Sequence, residues 1–376
     1  MKISKLSRFA FLSLAFTLLL PQRAFCFPEM IRHSYVNCTA CHVSPSGGGL
    51  LTEYGRALSL EALSMNGTEK ESKFAYGLLE LPTWLNAGGD IRALQYDHNT
   101  PRVREGQFIR MQADLEAEVK VNKLSVVGTL GADQKYPDRI WASEFISRRH
   151  YLLYHLNEEN YVRVGKFKRP YGINTDNHSL YVRKDLGWNA GSETYNAEYS
   201  FLGDPWNGQI AMIFGRPDDD SIHSESGFSG TVAYALSPKS KLGFSNFYGR
   251  QSTQPGQKND KREVVGPYLL LGITDKFYVL SELDYQRRYT ANTNGLLTYT
   301  QVGYEIIKGL HFYGIQELSR LDFAQSQSLK NAYTVGTRFF PRPHLDLNLA
   351  YQIQTRKALA PDGQDQLLYF IAHFYL

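Results

Sequence analysis

Arg110-Met111-Gln112-Ala113-Asp114-Leu115-Glu116-Ala117-Glu118-Val119-Lys120 alternates without a break, every odd position apolar and every even one polar or charged. Period-two alternation means strand, because successive side chains leave the backbone toward opposite faces. The run is longer than the five or six residues usual for a strand of a soluble sandwich, and its polar face carries full charges. Apolar toward lipid and polar toward water is the pattern of a transmembrane β-barrel. His344-Leu345-Asp346-Leu347-Asn348-Leu349-Ala350-Tyr351-Gln352-Ile353-Gln354 repeats it. So does the stretch with Phe277, Val279, Leu283, Tyr285 and Tyr289 on one face and Glu282, Asp284, Gln286 and Arg288 on the other.

Working outward, such runs recur from residues 84–97 to 366–376. They number about 16, an even count in the porin range. Breaks at Asn122-Lys123, Asn157 to Glu159, Pro238-Lys239, Thr274-Asp275, Lys308-Gly309 and Arg342-Pro343 read as tight turns. Pro101 to Gly106, Gln251 to Asp260 and Lys357 to Asp365 read as loops at the opposite end. The final run, Leu367 to Leu376, is an aromatic-rich strand of the kind that barrel-insertion machinery reads, with Leu376 in place of the usual terminal Phe. Composition agrees: 25 Tyr and 21 Phe against 3 Cys and 5 Met, with a mean hydropathy of −0.37. A net charge of +4 gives no ground for a nucleic-acid partner.

The remainder lies upstream. Lys2, Lys5 and Arg8 precede an apolar run from Phe9 to Leu20 and then Pro21 to Cys26. A basic start, a short apolar stretch and a helix breaker make an export signal over residues 1–26. The run falls short of the ~20 residues a membrane-spanning helix needs. Residues 27–83 then form a separate short segment, and 84–376 the barrel.

Within that segment stands Cys38-Thr39-Ala40-Cys41-His42, the C-x-x-C-H attachment pattern of c-type haem. Two thiols at this spacing can add to the vinyl groups on one porphyrin edge, and the adjacent imidazole then serves as proximal axial ligand. Cleavage after Cys26 leaves only Cys38 and Cys41, too few for a disulfide framework or a closed zinc site. One covalent haem c is therefore expected, on Cys38, Cys41 and His42. Met65, His33 and Met30 are the segment's candidates for the sixth iron ligand; a ligand from the barrel, or an open position, stays open. Gly47-Gly48-Gly49 follows the motif and permits close backbone approach to a flat group. Leu58, Leu60, Ala62 and Leu63 mark a short amphipathic helix. A segment of 57 residues buries little surface alone, so it is expected to borrow walls from the barrel as a plug in its lumen.

One connection, Lys166 to Gly191, is long and basic, with Lys168, Arg169, Arg183 and Lys184. It is either a solvated outer loop or an inward constriction facing haem propionates or an anionic solute. Its wording Gly165-Lys166-Phe167-Lys168-Arg169-Pro170-Tyr171-Gly172 resembles a run in phosphate-selective and related porins. Asp218-Asp219-Asp220 reads as an acidic surface loop.

Signal, single C-x-x-C-H and porin-sized barrel together resemble the fused cytochrome–porin family of bacterial outer membranes, whose best-known members oxidise extracellular iron. The resemblance covers the whole architecture, and by residue it rests on Cys38, Cys41 and His42. It implies an electron-transfer protein, at most an extracellular metal oxidoreductase. Its partners would be outer-membrane lipid, an extracellular electron donor or acceptor and a periplasmic c-type cytochrome, with the N-terminal segment entering from the periplasm. The chain is shorter than the iron-oxidising members, so iron itself is not carried over. A porin for small, anionic solutes, with the haem segment a plug, a sensor or incidental, is the competing expectation. Homo-oligomerisation stays open in both.

Overall fold

The computed structural model describes residues 27–136, 139–217, 224–251, 260–357 and 363–376. The export signal, Asp218-Asp219-Asp220 and most of the two loops expected at Gln251 to Asp260 and Lys357 to Asp365 lie outside the described residues.

Seventeen strand segments form one sheet that closes on itself. In chain order they are β1 Leu85–Asn99, β2 Arg104–Val121, β3 Leu124–Tyr136, β4 Arg139–Ile146, β5 His150–His155, β6 Asn160–Phe167 and β7 Thr194–Leu202. There follow β8 Trp206–Gly215, β9 Glu225–Ser237, β10 Ser240–Gln251, β11 Asp260–Gly272 and β12 Phe277–Arg288. The last are β13 Thr293–Ile307, β14 Leu310–Arg320, β15 Leu329–Phe339, β16 Leu345–Arg356 and β17 Gln364–Tyr375. Both β4 and β5 pair with β3 and are parted only at 147–149, so they share one stave and the barrel has 16. Every pairing is antiparallel between neighbours, and β1 closes the circle on β17 from Asp90↔Tyr375 to Asn99↔Gln366. Closure leaves no edge strand, the condition for a sheet in lipid, where unpaired backbone groups have no water to bond. Among the described residues no helix is long and apolar enough to cross a membrane.

The alternation maps onto the two faces as the sequence predicts. In β2, Asp114, Glu116 and Glu118 are buried on the lumen side, while Leu115 and Val119 stand exposed outside. Leu242 and Phe244 on β10, Leu283 and Tyr285 on β12, and Leu349 and Tyr351 on β16 continue the outer apolar surface.

The expectation of a water-filled interior needs correction. Inward positions on β10 to β13 include a buried apolar group, Phe247, Val264, Tyr268, Leu280, Leu297 and Tyr299, set among buried polar ones such as Arg262, Glu282 and Asp284. The apolar group packs against residues of the connection 168–193, including Ile173, Leu180, Val182 and Trp188. That connection is therefore folded inward. It begins after Phe167, so Lys166 belongs to β6 as a buried strand residue. Burial of its apolar side chains supplies the drive, and ion pairs fix its place. Arg169 pairs with Glu225 at 2.8 Å, Arg183 with Glu282 at 2.7 Å and Asp185 with Lys330 at 3.0 Å.

The turns at Asn122-Lys123, Pro238-Lys239, Thr274-Asp275 and Lys308-Gly309 lie at one end, and the N-terminal segment docks there. Its anchors run round the circumference. Arg32, wholly buried, pairs with Glu305 at 3.1 Å over the ring of Tyr278. Lys241 donates to the Val36 carbonyl at 2.9 Å, and Asn37 to that of Leu202 at 3.1 Å. The Ser59 hydroxyl meets the Tyr375 hydroxyl at 3.1 Å and accepts from the His344 amide at 2.8 Å. The Met65 amide donates to the Phe340 carbonyl at 2.8 Å.

Two histidines at this junction make it acid-sensitive. Burial, with Arg32 beside it, lowers His33 to about 4; burial, with Arg56 nearby, lowers His344 to about 4. Unfolded histidine titrates near ~6.5. The released state thus binds more protons between the two values, and docking is at full strength above the unfolded value and weakens as pH falls toward the folded one. Protease cleavage of the N-terminal segment is expected to accelerate between pH 6.5 and 4 while the barrel band persists on unheated gels. Unchanged cleavage across that window would contradict the assignment.

Candidate functional site

The haem motif adopts a tight helical turn. The amides of Cys41 and His42 both donate to the Cys38 carbonyl, at 3.2 and 3.0 Å. In a 3₁₀ turn residues three apart eclipse, which puts Cys38 and Cys41 on one side. After His42 the chain doubles back: Val43 and Leu50 are bonded through their backbones at 3.0 Å, His42 bridges Leu51, and the Thr52 amide donates to the Cys41 carbonyl. Gly47, Gly48 and Gly49 make the reversal with φ of +77°, +72° and +69°, a conformation other residues seldom adopt. A Cβ on Gly47 would sit 3.2 Å from Cys38 Sγ, and one on Gly49 2.7 Å from the Arg149 guanidinium. Thr52 caps the helix Glu53–Leu58 through the Gly55 amide at 3.0 Å. The expected amphipathic helix is thus found, and it runs on through Ser59–Leu63 as a π-helical turn that carries Leu60, Ala62 and Leu63.

The reversal aims the His42 ring. Its Nδ1 lies 3.1 Å from the Gly49 carbonyl oxygen. A carbonyl can only accept, so Nδ1 carries the proton and Nε2 is the basic nitrogen. A bond of this kind orients histidines that ligate metals. Among the described residues no group of three or more His, Cys, Asp and Glu side chains is arranged to hold a metal ion. A closed zinc site, which takes four protein ligands, is therefore not assembled round the two cysteines there.

Cys41 and His42 face a chamber of about 220 Å³ between the N-terminal segment, the barrel wall and the inner loop, where ~10–15 Å³ would hold one water. Its lining joins apolar side chains of the N-terminal segment, Met30, Leu50, Leu58 and Leu63, with cations of the barrel and inner loop, Arg92, Arg149 and Lys168, and with the carboxylates Asp90, Glu116 and Glu193. Apolar surface on the segment that bears the thiols, with cations on the barrel and the inner loop, suits a macrocycle that carries two carboxylates, so the residues present fit a covalent haem. Arg149 is held by Glu116 at 3.2 Å. Lys168 has its affinity for a proton lowered, chiefly by its place inside the lumen, with Glu193 acting against that and Arg149 adding to it. Of the three sixth-ligand candidates, Met30 lines the chamber; His33 and Met65 do not. His178 and His373, both from the barrel, do.

Arg163 ties the motif loop to the wall. Wholly buried, it pairs with Glu198 at 2.8 Å, donates to the hydroxyls of Ser44 and Ser46 at 2.8 and 2.9 Å, and stacks 3.7 Å from the Phe167 ring centre. Nothing in the sequence singles it out, because an inward Arg on alternating strand Asn160–Phe167 looks like any lumen charge. Arg163→Met would leave Glu198 buried and uncompensated, and breaking a buried pair this way costs about 3–5 kcal/mol. Denaturant titration, read by the shift from folded to unfolded gel mobility, should show that loss; an unchanged midpoint would mean that the loop is held by other contacts.

No family model and no curated protein matches the chain. Solved structures do match in fold. OmpT of Vibrio cholerae, in its trimer form, superposes with a TM-score of 0.58 at 10% identity, covering 78% of this chain and 99% of its own. An anion-selective porin from Comamonas acidovorans gives 0.57 at 12%, covering 78% and 99%. The outer-membrane channel DcaP of Acinetobacter baumannii gives 0.56 at 11%, covering 78% and 97%. The chain has the porin-type barrel fold, and with its apolar outer surface it belongs in a bacterial outer membrane.

Proposed function

We propose that this chain is an occluded outer-membrane barrel that carries one covalent c-type haem in its inner chamber and passes single electrons between a periplasmic c-type cytochrome and an extracellular partner. The observation that carries the reading is the His42 ring, locked by the Gly49 carbonyl so that Nε2 is the basic nitrogen, on the wall of a chamber that Cys41 shares. Short turns face the periplasm in barrels of this type, so the N-terminal segment enters from that side.

When bound, haem supplies a one-electron iron couple tuned by axial ligands and surroundings. The chain's own residues do the rest. Cys38 and Cys41 would hold the haem covalently, His42 would ligate its iron, and Gly47 to Gly49 keep the loop free of side chains. Arg92 and Lys168, both on the chamber lining, would neutralise its carboxylates. The N-terminal segment and the inner loop both line the chamber and narrow the lumen round it. A bilayer core of ~30 Å is too wide for direct electron transfer at useful rates, and a water-filled pore carries none; a redox centre inside the lumen divides the distance.

The likeness to porins favours a second reading, the passage of small anionic solutes with the N-terminal segment as plug, sensor or incidental appendage. One neighbour is described as anion-selective, and Arg92 and Lys168 would serve that role too. Proteoliposomes separate the two. An impermeant external reductant should reduce an enclosed acceptor while enclosed sugar stays inside. Sugar leaking while the acceptor stays oxidised would refute the conduit and leave the porin. The trimer form of OmpT is the ground for proposing that this barrel also associates with copies of itself.

A further inference from the structure

We infer that His178, carried into the lumen by the inner loop, is the second protein ligand to the iron of the haem that His42 would hold. The inference rests on the proposed haem site and deepens it. His178 and His42 line the same chamber, one brought by the barrel and the other by the N-terminal segment.

The loop round His178 is pinned on both sides. Asn174 donates to the Ser46 carbonyl at 2.7 Å, which joins the inner loop directly to the haem-motif loop. Asp176 pairs with Arg338 at 2.8 Å, and the Tyr181 amide donates to Glu317 at 2.6 Å. Asn177 Oδ1 accepts from the Ser179 amide at 3.0 Å and from its hydroxyl at 2.7 Å. A ligand whose neighbours are fixed loses little freedom on coordination. Burial, with Lys168 and Arg92 beside it, lowers the proton affinity of His178 and keeps the imidazole in its neutral, metal-binding form.

The alternatives are placed for other work. His373 faces carboxylates with both ring nitrogens, Nε2 bonded to Asp90 at 2.8 Å and Nδ1 3.9 Å from Asp346. Met30 is packed against Tyr35, Leu63 and Phe340. His33 Nε2 accepts from Arg32 at 3.1 Å and lies off the chamber wall, as does Met65.

The test uses the full-length purified protein, with pyridine haemochrome for haem content and unheated gel mobility for barrel folding. Wild type should carry one haem per chain with a low-spin ferric spectrum, and its ferrous form should resist carbon monoxide. His178→Ala should keep the haem, turn high-spin and bind carbon monoxide, with added imidazole restoring the low-spin spectrum. His178→Met should stay six-coordinate and titrate at a higher potential, the direction a His/Met pair takes. An H178A spectrum identical to wild type would overturn the assignment, the more so if Met30→Ala alone opened the site. A wild type that is already high-spin would overturn it too. A wild type with no haem at all would instead remove the proposed function on which it stands, and the haemochrome reads that separately.

Discussion

The double substitution Cys38→Ala/Cys41→Ala is expected to abolish covalent haem, taking the haem stain on denaturing gels from one haem per chain to background, while the barrel still folds. Covalent attachment needs both thiols on one porphyrin edge, and the turn that aligns them is held by backbone bonds to the Cys38 carbonyl rather than by the side chains. The barrel's own ladder runs strand to strand through pairings in which neither cysteine takes part. Folding and haem content should thus separate cleanly. His42→Ala should differ in kind: haem stays on the thioethers, but the visible spectrum loses its proximal imidazole and electron transfer into proteoliposomes stops. If wild-type protein, matured in a host that attaches haem in the periplasm, shows no stain, the redox reading is wrong and the porin reading takes its place.

The second large effect concerns the lumen. Removing residues 27–83 while keeping the export signal should raise single-channel conductance by roughly an order of magnitude, toward the behaviour of an aqueous porin lumen. The segment reaches β10, β13 and β17 through Lys241, Glu305 and Tyr375, so its loss clears one whole end. The inner loop should stay in place, since Arg169, Arg183 and Asp185 are bonded to barrel strands and not to the deleted segment. Conductance should therefore rise without reaching that of an empty barrel, and Arg183→Gln in the truncated chain, which frees Glu282, should raise it further. A full-length protein that already conducts like an open porin would sink the occlusion argument.

Much of this was legible before any coordinates. The alternation in Arg110 to Lys120 marks a two-faced strand, and the turns at Asn122-Lys123 and Lys308-Gly309 lie where the structure has them. The interior was less so. Leu280 and Leu297 stand on the inward face, where a porin pattern calls for polar residues. In sequence they merge with outward neighbours into apolar runs such as Val279-Leu280, which carry no face information. The inward fold of 168–193 was equally undecided, because its basic residues suit a solvated loop as well as a lumen.

What the sequence by itself determined is the class of object: a closed antiparallel barrel for lipid, a segment ahead of it, and three residues with the spacing of a haem anchor. These follow from local rules, since face alternation, turn residues and the reach between neighbouring thiols act over a few positions. Only the tertiary structure decided what shares the chamber with His42. Gly49 lies seven residues on and could be guessed. Arg163 and His178 are more than a hundred residues away, and whether they meet the motif depends on strand register and on which way one loop folds. Those choices are made by ion pairs such as Arg183 with Glu282 and by apolar burial across the lumen, interactions that join residues far apart in the chain and leave no periodic trace in it.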